Sequence, residues 1–247
     1  MIDIIKTVFI TIDVDWACDE ALRDTVNLLE KNGVASTIFC THKSEILNEL
    51  SNQPGIELGI HPNFNPLLNG DLVYGKNFKE VIGYFYNLVA SPVSFRCHSM
   101  TYSSQLANVF SSYGLIYDCN YYIPHYSEIE LKPYRMKCNK LIKAPYYWED
   151  DLYAFEPSNK QKIENDIKLL LSKKGLKIFD FHPAHIFLNT NALKKYEAVK
   201  DKINDADKFK LGMNSYSEAG IRYFFIKLIE FALDSEFQFK LIKDIKI

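Results

Sequence analysis

Val8-Phe9-Ile10-Thr11-Ile12-Asp13-Val14-Asp15 is an apolar, β-branched run that ends in two carboxylates one residue apart. A short run without polar alternation is what a strand buried on both faces requires, as in a parallel sheet. Residues 8–13 are therefore read as the first strand. In a doubly wound nucleotide-binding sheet, the turn after this strand carries glycines so that a phosphate can approach the backbone. Here that position holds Asp13-Val14-Asp15-Trp16, with no glycine, which argues against a dinucleotide.

Working outward, residues 20–31 place Leu22, Val26 and Leu29 on one helical face and stop at Asn32-Gly33, a helix C-cap. Residues 35–40 (ASTIFC) and 56–60 (IELGI) read as strands. Phe78, Val81, Ile82, Phe85 and Leu88 mark a helix face, and 93–96 is the strand that follows. Further strands are expected at 116–122, 141–147, 176–181 and 237–242. Ser158-Asn159-Lys160-Gln161 has the pattern of a capping box, continued by Ile163, Ile167 and Leu170. Ile221, Phe224, Phe225, Leu228, Ile229 and Ala232 form the clearest amphipathic helix. Short buried strands alternating with helices predict an α/β protein with helices outside a parallel sheet. Roughly seven or eight strands over this length predict an irregular (β/α) barrel rather than an open sheet.

The chain has 247 residues, 47% hydrophobic and 24% charged, which suits a single domain spanning 1–247. A net charge of −2 gives no surface for nucleic acid. No segment reaches the roughly 18 apolar residues of a membrane span. The first nine residues are too short and too interrupted, by Asp3 and Lys6, for a signal peptide. Five cysteines (Cys18, Cys40, Cys97, Cys119, Cys138), odd in number and without paired metal spacing, read as free thiols in a reducing cytoplasm.

Parallel α/β folds bind ligands at the carboxyl ends of their strands. The ionisable residues gather there: Asp13 and Asp15, then His61, then Arg96 with His98, then Glu149-Asp150-Asp151, then His182 with His185. Carboxylate and imidazole are ligands for zinc or a similar divalent ion. A second carboxylate can serve as general base, a separate histidine as general acid, and an arginine can orient the base. Each residue alone has a plainer reading. A strand-end Asp often caps a helix, a loop His is often only hydrogen-bonded, and Glu149-Asp150-Asp151 can be a solvated turn, the reading favoured for Asp151. His42 and His125 read as surface or packing residues.

Taken in order, these residues resemble the polysaccharide deacetylases, the NodB-type carbohydrate esterases, along nearly the whole chain. Thr11-Ile12-Asp13-Val14-Asp15 resembles the first motif of that family, implying Asp13 as catalytic base and Asp15 as metal ligand. Ala35-Ser36-Thr37-Ile38-Phe39 resembles its second strand. Glu57-Leu58-Gly59-Ile60-His61 resembles the histidine motif, implying His61 as a ligand. Ser94-Phe95-Arg96 implies Arg96 as the residue that holds the base, Tyr117-Asp118 resembles the short motif that follows, and Phe179-Asp180-Phe181-His182-Pro183 implies His182 as general acid. The His61-Pro-Asn-Phe, Arg96-Cys-His98-Ser and Trp148-Glu-Asp-Asp runs are most similar to the WbmS-like subgroup, associated with surface-polysaccharide gene clusters.

The sequence departs from the family at Asn65, where a second ligand histidine normally stands. Three arrangements follow: Asn65 binds directly and suits a harder ion, His98 or His185 supplies the missing nitrogen, or the metal is weak or absent. A metal site with altered ligation is preferred, because base, acid and arginine are all present. The resemblance implies metal-dependent removal of N-acetyl groups from a sugar, with zinc or another divalent ion as cofactor. Trp16, Tyr147, Trp148 and Glu149 are expected on the substrate, although core packing is expected for at least half of the aromatics near the mouth. Cytoplasmic residence points to a nucleotide sugar or lipid-linked saccharide as partner. The alternatives are a metal-dependent amidase on a small non-sugar amide and a non-catalytic carbohydrate-binding relative.

Overall fold

The computed structural model describes residues 4–154 and 158–247. Strand β1 (Thr7–Asp13) is buried at every residue. Its uniform apolarity follows from its place: β2 (Ser36–Cys40) pairs with it on one side, and a strand from the second half of the chain on the other. Beyond β2 lie β3 (Ile56–Ile60), β4 (Ser94–Phe95) and β5 (Tyr117–Asp118), each parallel to the last. Antiparallel β6 (Tyr134–Arg135) borders β7 (Ile142–Lys143), which pairs with β5. β8 (Trp148–Glu149) pairs with β9 (Ile178–Phe181), and β9 with β1. A last short strand, β10 (Gln238–Phe239), adds to the start of β1.

The result is a curled, mostly parallel half-barrel of the expected α/β type. Its edge strands are β6 and β8, and β7, next to one edge, lies on the same chain segment as β8 at the other. The sequence predicts a single strand over 141–147. Pro145 sits in its middle and has no N–H to offer a partner, and the antiparallel pairing with β6 stops short of it, at Lys143. Ile142 and Lys143 pair with β5, Tyr146 still bridges to Tyr122 on the segment that follows β5, and the partner changes to β9 at Trp148. The strands expected at 116–122 and 237–242 are likewise short. The second gives way to a turn in which the Ile242 amide bonds Thr37 Oγ1 at 3.0 Å.

Helices cover the outer face. The helix Ile221–Asp234 buries the stripe predicted for it: Phe224 stacks on Trp148 at 4.3 Å and Phe225 meets Phe181 edge-on at 4.8 Å. The cap expected at Ser158 falls one residue later, since Asn159 Oδ1 accepts the Lys162 amide and opens the helix Lys160–Ser172. Because the strands run parallel, their carboxyl ends share one rim. Asp13 ends β1, His61 follows β3, Arg96 follows β4, Glu149 ends β8 and His182 follows β9.

Gly59 in β3 makes this close assembly possible. A Cβ at this position lies 2.6 Å from Ser94 Oγ and 2.7 Å from the Phe39 ring. Phe39 in turn packs against the Arg96 guanidinium, 4.9 Å from the ring centre. Gly59→Ala is expected to destabilise the fold by about 1–3 kcal/mol through overpacking. Urea denaturation checks this, and an unchanged midpoint shows that Phe39 has room to move.

Candidate active site

Arg96 is the centre of the buried part of the site. Its side chain is 2% exposed, so its charge must be met from within. Nη1 donates to Asp13 Oδ1 at 3.0 Å, to Thr11 Oγ1 at 3.0 Å and to Asp180 Oδ1, while Nε donates to the Cys119 carbonyl at 3.0 Å. The face of Tyr146 covers it, with the ring centre 4.4 Å from Cζ. Burial works against the Arg96 charge, but the carboxylates of Asp13 and Asp180 outweigh it and hold its pKa above the ordinary value. Burial pushes Asp180 well above the carboxylate range, and Arg96 only partly offsets this.

A second group lies nearer the surface. Asp15 Oδ1 is 3.1 Å from His61 Nε2 and 3.1 Å from His98 Nδ1. His61 is 2% exposed and its other nitrogen faces Asp13 Oδ2 at 3.5 Å. Burial opposes the Asp15 charge, yet hydrogen bonds from both histidines outweigh it and hold its pKa well below the ordinary range. Non-glycine residues in left-handed conformation flank two of the three. Asp15 and Trp16 have φ of 44° and 57°; Ser99 and Met100, after His98, have 54° and 52°. Such conformations are costly and persist where surrounding bonds over-determine them. The Trp16 amide is held by Thr41 Oγ1 at 3.0 Å, and the His98 amide by the Pro62 carbonyl at 2.9 Å.

The third component is His182. Asp150, fully buried, accepts from its ring Nδ1 at 2.7 Å and from its backbone amide at 2.8 Å. Nε2 is left facing Asp15 Oδ2 at 3.6 Å. Burial alone would lower the imidazole pKa, but Asp150 and then Asp15 outweigh it and hold it well above the ordinary histidine value. All three groups open on a cleft of about 110 Å³, also lined by Tyr146, Glu149 and Asp151. Glu149 is pushed up to about 7, by burial first and by Asp151 second, and accepts from Tyr146 Oη at 2.9 Å. A larger cavity of about 390 Å³ borders the other side of Glu149 and contains none of Asp13, Asp15, His61, Arg96, His98 or His182.

Among the described residues, three clusters have the composition of a metal site. In the first, Asp15, His61 and His98, a carboxylate oxygen and two imidazole nitrogens converge at the cleft, and this donor set fits a divalent ion. In the second, Asp13, Asp180 and His182, the guanidinium of Arg96 already bridges the two carboxylates. In the third, both Asp150 oxygens are engaged by His182, and His185 Nδ1 lies 3.1 Å from Thr190 Oγ1.

Several sequence expectations need correction. Asn65 is not brought to the first cluster: its Nδ2 donates to Ser99 Oγ at 3.2 Å and its Oδ1 accepts from Thr101 at 3.5 Å. His185 is buried beside Tyr196, where burial lowers its pKa. Tyr147 is a core residue whose hydroxyl bonds the Leu170 carbonyl at 3.3 Å. Trp148 is buried among Phe179, Phe181 and Phe224 and borders the larger cavity, not the cleft. Both were expected on substrate as aromatics near the mouth; both side chains are buried in the core. Trp16 packs edge-on against His98 at 5.1 Å, and Glu149 does line the cleft. Two residues were given no role by the sequence reading. Asp180 stands opposite Thr11 in the β1–β9 register, and a lone acid inside the buried strand IFDF was its signal. Asp150, left open between a strand-end acid and part of a solvated turn, is fully buried.

With this geometry in place, the relatives can be considered. The chain belongs to the polysaccharide deacetylases, hydrolases that act on the amide of N-acetyl groups. Within them it matches the WbmS-like family, over residues 10–200. The crystal structure of a Bordetella bronchiseptica protein, assigned as a polysaccharide deacetylase involved in O-antigen biosynthesis, is 34% identical with a TM-score of 0.80, covering 92% of this chain and 91% of that one. A protein from Mycobacterium smegmatis, assigned as a polysaccharide deacetylase, is 15% identical with a TM-score of 0.49, covering 96% and 94%. A family 4 carbohydrate esterase from Streptomyces lividans, in complex with acetate, is 11% identical with a TM-score of 0.47, covering 95% and 91%. No curated protein matches.

The His182–Asp150 pair has a pH signature. A histidine whose folded pKa is raised contributes stability that is fully present below its unfolded value, about 6.5, and lost as pH rises through the folded value. Asp150→Asn is expected to lower the His182 pKa, followed by NMR of the ring, and to flatten the fall in stability above neutral pH. A His182 titration that does not move assigns the raised value to another partner.

Proposed function

We propose that this protein removes the acetyl group from an N-acetylated sugar during the making of a surface polysaccharide, using zinc or a similar divalent ion held by Asp15, His61 and His98. The observation that carries this reading is the meeting, in one cleft, of that cluster with Asp13 on Arg96 and His182 on Asp150. A bound divalent ion supplies Lewis acidity, polarising the acetyl carbonyl and lowering the pKa of a water beside it. Asp13 takes the proton of the attacking water. Arg96 fixes the rotamer of Asp13. The amide C–N bond breaks as His182 Nε2, held protonated by Asp150, delivers a proton to the departing amine. Glu149 and Tyr146 border the space for the sugar.

The Bordetella protein's assignment to O-antigen biosynthesis supports a precursor of a surface polysaccharide as substrate. A nucleotide sugar or lipid-linked saccharide in the cytoplasm suits the chain, whose five cysteines are all unpaired. Among the described residues no helix is long and apolar enough to cross a membrane. We take residues 1–247 as one domain, because the strands on either side of β1 come from both halves of the chain.

Purified protein is expected to carry a divalent ion and to release acetate from nucleotide-linked N-acetylated sugars. Asp15→Ala should lose the ion and His98→Ala should hold it more weakly, measured by elemental analysis, whereas Asn65→Ala should keep it. Asp13→Asn and His182→Ala should retain the ion but lower the rate by about 10²–10⁴-fold. Sugar binding without acetate release under saturating zinc would make the protein a binding relative, and turnover of small linear amides alone would make it an amidase.

A further inference from the structure

A buried polar cluster outside the cleft has no part in the chemistry above. Lys143 and Asp118 are a buried ion pair, 2% and 0% exposed in their side chains. Tyr102 Oη donates to Asp118 Oδ2 at 2.5 Å and accepts from Lys143 Nζ at 2.6 Å. Lys143 also lies over the Tyr102 and Tyr121 rings, 4.3 and 4.6 Å from their centres. A buried ion pair is a poor device for stability, because desolvation offsets most of the attraction, so its local effect matters more.

That effect passes through Asn120. Asp118 Oδ1 accepts the Asn120 amide at 3.1 Å and its side-chain Nδ2 at 2.7 Å. The carboxylate thereby fixes the flip of the side-chain amide, because only an NH₂ can face it. Asn120 Oδ1 is left to accept the Cys97 backbone N–H at 2.7 Å. Cys97 stands between Arg96 and His98. The amides of its two neighbours bond the other way, to Ile60 and Pro62 carbonyls at 3.1 and 2.9 Å. The segment is therefore pinned on both sides just before it enters the left-handed turn at Ser99 and Met100.

We infer that Asn120, oriented by the Tyr102–Asp118–Lys143 cluster, is a positioning residue that holds the Cys97 backbone and so sets the His98 ring for the ion. The inference rests on the proposed role of His98 as a ligand. Asn120 touches neither ion nor substrate. Its effect runs through one backbone amide to one imidazole, the kind of support whose loss typically weakens a metal site while leaving the ligands in place.

Zinc affinity, read by competition with a chelating dye, tests this in a double-mutant cycle of Asn120→Ala and His98→Ala. Asn120→Ala is expected to weaken zinc binding by about 10–100-fold. In the His98→Ala background the same change should alter affinity by less than about twofold, because the route it acts through is gone. An equal loss in both backgrounds, or no loss in either, overturns the inference. If Asn120→Ala does not fold, Tyr102→Phe, which removes one hydroxyl and keeps the ring over Lys143, replaces it in the same cycle. The same two outcomes then decide, with a smaller loss expected. If His98→Ala binds zinc as tightly as the unaltered protein, or the unaltered protein does not bind zinc, the metal-site reading fails and takes this inference with it. A weakened His98→Ala beside an unchanged Asn120→Ala defeats the inference alone.

Discussion

One guanidinium organises the interior of this protein. Arg96 reaches from the end of β4 to Asp13 on β1, Asp180 on β9 and the carbonyl after β5. Strands from distant parts of the sequence thus meet on a single cation. The attraction is strong because water is excluded, and for the same reason no member can be removed alone. Without Arg96, two carboxylates would face each other in the core with nothing to balance them. Phe39 and Tyr146 complete the enclosure with ring faces, which tolerate a cation where an aliphatic wall would not.

From this centre the site grades outward in exposure and in role. Asp13 and Asp15 are separated by one residue, yet they belong to different regimes. Asp13, the last residue of a buried strand, is 3% exposed and fixed by Arg96. Asp15 lies past the strand, in a left-handed conformation, and turns toward two histidines. The one-residue spacing lets a single chain segment serve both because the backbone changes hand between them.

Much of the fold was legible in the sequence, and the reason is local. β1, β3 and the closing helix carry unbroken apolar patterns that only one environment explains. The strands around 93–96, 116–122 and 141–147 were placed correctly but read too long, because two-residue pairing leaves no pattern of its own and the change of partner at Trp148 depends on what lies beside it. In the site, Asp13, Asp15, His61, Arg96 and His182 could be read from strand-end position and order. Asp150 and Asp180 could not, since a carboxylate in the core is recognised by its partner, and those partners are 32 and 84 residues away. The place of His98 beside Asp15, and of Asn65 away from it, is set by the turn at Ser99 and Met100, which no residue type there announces.

The short bonds from Asp15 to His61 and His98 have one more consequence. Those bonds need at least one proton on the imidazole nitrogens that face Asp15, and a metal ion needs the same nitrogens bare. Loading this site therefore requires each such proton to leave its nitrogen, by moving to the other ring nitrogen or by departing as the ion enters.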